Sequence, residues 1–109
     1  MHESEDPRYA RLAEALVEME HLLRRVQAYG HANIVVQLLD QLSADPQAAI
    51  DVLCGRTFWG GSGSFDDLII ADENHHISDD FARDNRLYRE LLRRVVFNIP
   101  PAPWRPSPW

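Results

Sequence analysis

The spacing of apolar residues near the start of the chain is the feature that most constrains the fold. Six of them recur at alternating intervals of three and four positions: Tyr9, Leu12, Leu16, Met19, Leu23 and Val26. This spacing places all six on one stripe of an α-helix. Asp6 is suited to cap that helix, Pro7 to open its first turn, and Gly30 to terminate it. The sequence therefore predicts a first helix from about Pro7 to Tyr29.

Two more helices are predicted directly after the first. The second spans about His31–Ser43 and presents a wide apolar face. Its very short connection to the first helix implies a helical hairpin or a sharp kink. The third helix is predicted to be short and largely buried, with Asp45 as its N-cap, Pro46 at its first position and Gly55 as its C-cap.

A fourth helix is predicted from about Asp80 to Asn98, and the run Ser78-Asp79-Asp80 supplies its capping signal. Its core-facing residues are Phe81, Tyr88, Leu91, Leu92, Val95 and Val96. The arginines occupy the other side of this helix. We expect them to be solvated, or to pair with Glu14 and Glu18 of the first helix, rather than to contact nucleic acid.

The fold class that follows is all-α, a compact bundle of about four helices with an irregular Gly/Asp-rich loop between helices 3 and 4. A chain of 109 residues that is 45% apolar and 26% charged is typical of one globular domain with a single core. We predict a single helical domain over residues 1–99 and a proline- and tryptophan-rich tail over residues 100–109. The segment Phe65–Ala71 reads equally well as a strand or as a helical turn.

Three of the five glycines lie between positions 60 and 63, next to Trp59, and such a cluster marks a shaped loop. Its amides are suited to a phosphate. However, the chain contains no lysine and no Walker pattern, and the loop follows a helix instead of a strand. Ser62 and Ser64 also lack the setting of a hydrolase nucleophile. We interpret the segment as a tight turn that folds Phe58, Trp59 and Phe65 under the helices.

The negative charge of the chain is concentrated in one stretch. The net charge is −6, and residues 66–80 carry six acidic residues and no basic one: Asp66, Asp67, Asp72, Glu73, Asp79 and Asp80. An acidic surface disfavours nucleic acid, because neutralisation of phosphates is the main non-specific attraction to it. It favours docking on a basic protein surface, where complementary charge speeds encounter and selects partners.

The same acidic stretch contains two adjacent histidines, which raises the question of a metal site. His75 and His76 are neighbours, so their side chains should point apart, and the pattern is neither an EF-hand nor a His-Glu-x-x-His helix. We therefore predict a solvated acidic loop with helix-capping aspartates, and no metal or cofactor. Cys54, the single cysteine, is expected to be a buried and inert thiol.

Residues Gly60–Leu68 read Gly-Gly-Ser-Gly-Ser-Phe-Asp-Asp-Leu. This resembles the Gly-Gly-Met-Gly-Ser-Phe-Asn-Asp-Leu signature of a family of small bacterial helical proteins with no assigned function. In that family two or three helices precede the signature and another follows it, so the resemblance implies the same helical architecture over roughly Leu12 to Val96. Ser62 stands where the family often has methionine, and Asp66 where it often has asparagine.

The function that we predict is that of a non-catalytic bacterial protein-binding module. Its most concrete form is an immunity or antitoxin-like protein whose acidic edge masks a basic toxin. The candidate binding residues are Trp59, Gly61, Ser64, Asp66, Asp67, Asp72 and Glu73. The alternative is a small-ligand- or metal-dependent protein with its site at the glycine-rich loop, where His75 and His76 would join the candidates.

Two further expectations concern assembly and location. The stripe of the first helix also suits self-association, so a homodimer is a third alternative, which light scattering would test. The acidic N-terminus is followed by no apolar segment of the kind found in signal peptides, and no run reaches the ~20 apolar residues of a membrane span. We therefore expect a cytoplasmic protein without a membrane partner.

Overall fold

The computed structural model describes residues 7–60 and 63–99, and over these residues the protein is all-α. Its helices are α1 (Arg8–Arg25), α2 (Tyr29–Ala44), α3 (Pro46–Leu53), the single turn α4 (Arg56–Trp59) and α5 (Phe81–Phe97). A 3₁₀ turn, Asp72–Asn74, lies in the connection between α4 and α5. The predicted four-helix bundle with an irregular loop before its last helix is therefore confirmed. The proposed tail, residues 100–109, and the candidate Gly61 lie outside the described residues.

One core is shared by all the long helices. α1 packs against α2 and α5, while α2 also packs against α3. Five of the six residues of the predicted α1 stripe are fully buried, and Tyr9 packs half-buried at the edge. The largest fully buried side chains are Tyr88, Phe58 and Phe65, which means that the loop contributes to the core together with the helices.

The boundary between α1 and α2 differs from the prediction. α1 ends at Arg25, and Gln27 adopts the left-handed conformation, with φ of 67°. The Ala28 amide donates to the Leu23 carbonyl at 2.7 Å and the Gln27 amide to that of Arg24 at 3.0 Å, which is the Schellman pattern. Gly30, predicted to terminate α1, instead lies in the first turn of α2. The left-handed residue that ends α1 is therefore Gln27, three residues before Gly30.

The aspartate caps predicted at Asp45 and Asp80 are confirmed, whereas the N-cap of α1 is Pro7 and the predicted cap Asp6 lies outside the described residues. The Asp45 side chain accepts from the Ala48 amide at 3.3 Å, and the Asp80 side chain accepts from the Arg83 amide at 3.0 Å. The prediction that Gly55 is the C-cap of α3 is wrong. Gly55 is extended, with φ of −103°, and opens α4, whereas Cys54 caps α3. Cys54 is half-buried instead of buried.

The predicted pairing between arginines of α5 and glutamates of α1 is also confirmed, for Arg94. Arg94 forms a bidentate pair with Glu18, at 3.0 and 2.9 Å, and lies 3.7 Å from Glu14. Both partners are partly exposed, at 39% for Arg94 and 48% for Glu18, so we expect this pair to orient the two helices more than it stabilises them. In the part of the chain that the structure describes, no helix has the length and apolar character that crossing a membrane requires.

The connection from Gly63 to Asp80 is irregular but well anchored. Phe65–Ala71 is neither strand nor helix, and consists of turns followed by an extended segment. Asn85 of α5 bonds both backbone groups of Ile70: its Oδ1 accepts from the Ile70 amide at 2.9 Å, and its Nδ2 donates to the carbonyl at 2.8 Å. The Tyr88 hydroxyl donates to the Phe65 carbonyl at 2.6 Å. Farther along, the Ile77 amide donates to the Val26 carbonyl at the end of α1.

Candidate functional site

The loop and the start of α2 enclose a shallow, open cleft of about 270 Å³. Its polar lining is His31 from α2 and Ser64, Asp67, Asn74 and His76 from the loop. Leu68 and Ile69 supply an apolar wall. The cleft therefore brings together two of the predicted site residues, Ser64 and Asp67, with His31, Asn74 and His76. His31 lies 36 residues before Asp67 in the sequence, and the other two lie 7 and 9 residues after it.

Stacked aromatic rings form the base of this site. Phe58 and Phe65 lie parallel with ring centroids 4.2 Å apart, and His31 meets the edge of Phe65 at 4.8 Å. Offset and edge-to-face contacts of this kind stabilise a buried cluster beyond their area alone. The predicted tight turn that folds aromatic residues under the helices is thus observed for both phenylalanines.

Trp59 belongs to the support of the site and does not line the cleft. Its indole Nε1 donates to the Leu53 carbonyl at 2.7 Å, and its ring is half-buried against the core. This bond satisfies a carbonyl at the end of α3 that has no partner within its own helix. Of the candidate residues, Trp59 is therefore structural in this geometry.

Glycine is required on both sides of the undescribed pair 61–62. A Cβ at Gly60 would collide with the carbonyl oxygen of Arg56, and Gly63 adopts a φ of 82°, which side chains disfavour. The Gly63 amide donates to Asp67 Oδ2 at 3.3 Å. The glycines and Asp67 together set the direction in which the chain leaves α4 and enters the cleft.

Burial favours the neutral form of the two histidines in the cleft. Burial lowers the pKa of His31, although hydrogen bonds to the backbone of Ser64 and Gly63 oppose the shift. Burial also lowers the pKa of His76, whose Nδ1 accepts from the Ala71 amide at 3.2 Å. His75, its neighbour, is exposed and has a φ of 64°, whereas His76 is buried.

Ser64 has a buried hydroxyl group that lacks a hydrogen-bond partner. Its side chain is 4% exposed, and its Oγ finds no donor or acceptor among the described residues. A buried polar atom without a partner costs about 1–3 kcal/mol of stability, so such atoms are uncommon in folded proteins. Ser64 is also among the residues that line the cleft.

The acidic stretch divides into residues with partners and residues without. Asp66 pairs with Arg89 at 3.5 Å and Asp79 with Arg83 at 2.5 Å, while Asp80 caps α5. Much of the predicted acidic edge therefore already has partners within the fold.

Asp72 and Glu73 form the second group. Both lie exposed on the 3₁₀ turn, and across residues 7–60 and 63–99 their carboxylates meet no hydrogen-bond donor or basic side chain. They remain available for an external partner.

The structure also addresses the alternative that this region binds a metal ion. Within residues 7–60 and 63–99, no group of three or more histidine, cysteine, aspartate or glutamate side chains is arranged to hold a metal ion. His76 uses its Nδ1 for a backbone amide, and His75 is exposed.

Sequence reasoning missed two residues that organise this region. His31 was not a candidate because it lies on a different helix from the loop that it contacts. Asp84 was not a candidate either, yet it is fully buried. A signal for Asp84 was present, since positions 84, 88, 91 and 95 follow the spacing of the core stripe of α5.

No protein-family model, curated protein or solved structure matches the chain. The likeness of Gly60–Leu68 to the signature of small bacterial helical proteins therefore stays a prediction. The function has to be argued from the geometry of the loop and its cleft.

Proposed function

We propose that this protein is a non-catalytic protein-binding module that docks on a basic protein surface through the loop between α4 and α5. The docking face consists of Ile69, Asp72, Glu73 and Ile77. The observation that carries the proposal is the pair of exposed carboxylates, Asp72 and Glu73, which lack partners within the described residues and lie between two exposed isoleucines.

The isoleucines supply the apolar part of the docking face. Ile69 is 58% exposed and Ile77 is 52% exposed, while the intervening Ile70 is buried. Interfaces commonly combine a desolvated apolar centre with charged groups that select the partner. Two large aliphatic side chains on either side of two free carboxylates fit that combination.

Hydrogen bonds to the helices and within the loop hold the described part of the loop in place. Asn85 holds Ile70, the Asn74 Nδ2 donates to the Ile69 carbonyl at 2.9 Å, and the Ile77 amide is bonded to Val26. A surface that is already fixed loses less conformational freedom on binding. This favours a docking role over that of a loose acidic linker.

An immunity or antitoxin-like role is the concrete form of this proposal, and the cytoplasm is the compartment that we assign to it. Such a role needs a small, ordered, acidic surface complementary to a basic partner, and the docking face offers one. The predicted candidates Asp72 and Glu73 become the charge-selecting residues. Asp66 serves the fold through its pair with Arg89.

The test compares two double variants with the same loss of charge. The immobilised protein is incubated with lysate of its native host, and the retained proteins are identified and purified. We expect wild type to retain a basic protein, and Asp72→Asn/Glu73→Gln to lose it. The control, Asp66→Asn/Asp79→Asn, should retain it, because those carboxylates already have arginine partners.

Titration calorimetry with the purified partner then decides the proposal. Affinity should fall with added salt and with the first double variant, as expected for charge pairing at a surface. Equal affinity of the two double variants, or retention of no protein by wild type, would reject docking through this face.

A second candidate function is small-ligand binding in the cleft. The unpartnered Ser64 hydroxyl favours it specifically. A cleft of about 270 Å³ is slightly below the usual range for ligand pockets, which is about 300–1,000 Å³. Screening by thermal shift with small polar metabolites tests it, and a rise in Tm that Ser64→Ala abolishes would support it.

A further inference from the structure

We infer that the cleft is an anchor pocket for one arginine side chain of the partner protein. This inference rests on the proposed function, because the arginine belongs to the protein that covers the docking face. The cleft and the face are continuous, since Ile69 lines the former and forms part of the latter. A chain docked on the isoleucines therefore passes the mouth of the cleft.

Three side-chain oxygens of the lining residues Ser64, Asp67 and Asn74 can accept hydrogen bonds. Ser64 Oγ has no partner, and Asp67 uses Oδ2 for the Gly63 amide, which leaves Oδ1 unbonded within the described part of the chain. Asn74 spends its Nδ2 on the Ile69 carbonyl, so its Oδ1 is likewise available. A guanidinium group carries five N–H donors in a fixed fork and accepts no hydrogen bonds, which matches a site with several acceptors.

The shape and charge of the cleft agree with a long basic side chain. Leu68 and Ile69 form a wall against which the aliphatic stem can lie, and the single formal charge in the cleft is the Asp67 carboxylate. Burial lowers the pKa of both histidines, which reduces their repulsion of a cation. The volume, about 270 Å³, suits one side chain better than a whole cofactor.

Other occupants fit less well. An anion would face the Asp67 carboxylate, and an apolar side chain would leave the Ser64 hydroxyl still unpartnered. A metal ion lacks a ligand set among the described residues. A lysine ammonium is compact and strongly hydrated, so it reaches separated acceptors less effectively than a guanidinium fork does.

The test is an NMR titration of the ¹⁵N-labelled protein with N-acetyl-arginine methylamide. We expect saturable shifts at the amides that line the cleft, including Gly63, Asp67 and His76. The lysine, norleucine and glutamate analogues serve as matched probes. Equal shifts with the lysine analogue would overturn the guanidinium assignment, and equal shifts with norleucine would show an apolar pocket. Shifts with glutamate alone, or no saturable shift up to the solubility limit of the arginine probe, would also reject the inference.

Two variants separate binding from folding. Asp67→Asn keeps a side-chain oxygen for the Gly63 amide but removes the charge, and should weaken binding of the arginine probe roughly tenfold. Ser64→Ala removes the unpartnered hydroxyl, so it should weaken binding while the free protein becomes no less stable. Wild-type affinity for the arginine probe in both variants would overturn the anchor role.

The two proposals fail in distinguishable ways. If the arginine probe does not bind but Asp72→Asn/Glu73→Gln still loses the partner, the docking function stands and only the anchor is rejected. If the probe binds the cleft but both charge variants retain the partner equally, the docking face is rejected. In that case the cleft is a guanidinium-binding site independent of it.

Discussion

Arg25, the last residue of α1, forms a bidentate ion pair with Asp84 in the first turn of α5. The distances are 2.9 Å from Nη2 to Oδ1 and 3.2 Å from Nη1 to Oδ2. Asp84 is fully buried, and it also accepts from the Ser78 hydroxyl and from Arg83 Nε. A single carboxylate thus joins the end of one helix, the start of another and the end of the loop that carries the docking face.

The first prediction is that Asp84→Asn destabilises the protein strongly. The hydrogen bond from Arg25, supported by Ser78 and Arg83, holds the pKa of Asp84 far below its usual value despite burial. Losing charged hydrogen bonds at a buried site should lower the free energy of unfolding by about 2 kcal/mol. Urea denaturation measures this. Asp79→Asn is the control, because Asp79 is exposed and its loss should have little effect.

The second prediction concerns mildly acidic pH. Burial lowers the folded-state pKa of His31 and His76, so the unfolded chain takes up protons first when the pH falls below about 6.5. The stability that these residues contribute is complete above that value and is lost as the pH falls towards their folded-state pKa. Urea denaturation at pH 7.5 and pH 5.5 should show the loss.

The histidine contribution can be separated from the carboxylate contribution. His76→Asn keeps an acceptor near the Ala71 amide and should reduce the change between pH 7.5 and 5.5. The depressed pKa of Asp84 adds a second loss below about pH 4, which Asp84→Asn should remove. A stability that is flat down to pH 5 in wild type would contradict the histidine argument.

The third prediction concerns the turn between α1 and α2, where Gln27 adopts the left-handed conformation and Gly30 lies within a helix. Gln27→Gly relieves a left-handed conformation that costs a non-glycine residue about 1 kcal/mol, so it should raise stability by roughly that amount. Gly30→Ala should also raise it, by about 0.5–1 kcal/mol, because Gly30 is helical and a Cβ there meets open space. Thermal unfolding of the single and double variants checks both. A destabilised Gln27→Gly would show that Gln27 has a role beyond its backbone.

The helices were predictable because their signals are local. Asp45 and Asp80 cap residues three positions ahead, and the α1 stripe depends only on spacing within one helix. The pairing of Arg94 with Glu18 required only that α1 and α5 be neighbours. The helix end at Gln27 was missed because tertiary contacts place the left-handed residue where no glycine marks it.

The loop could not be predicted because its conformation depends on distant groups. Ile70 is fixed by Asn85, Phe65 by Tyr88 and Ile77 by Val26, none of which is near in sequence. For the same reason the sequence identified Ser64 and Asp67 as candidates but could not bring His31 to them. The acidic run was visible, but only the structure separates the paired Asp66 and Asp79 from the unpaired Asp72 and Glu73.

The last prediction links this distant anchoring to function. Asn85→Ala removes both hydrogen bonds to Ile70 and should cost about 2 kcal/mol at that segment. Hydrogen exchange of the Ile70 amide should become faster, while exchange in the middle of α1 changes less. Partner affinity should fall, because the docking face must then be ordered on binding. Gln47→Ala is the matched control, since it removes only an exposed side-chain bond to Asp51 on α3. Unchanged partner affinity with fast Ile70 exchange would show that binding does not depend on a pre-ordered loop.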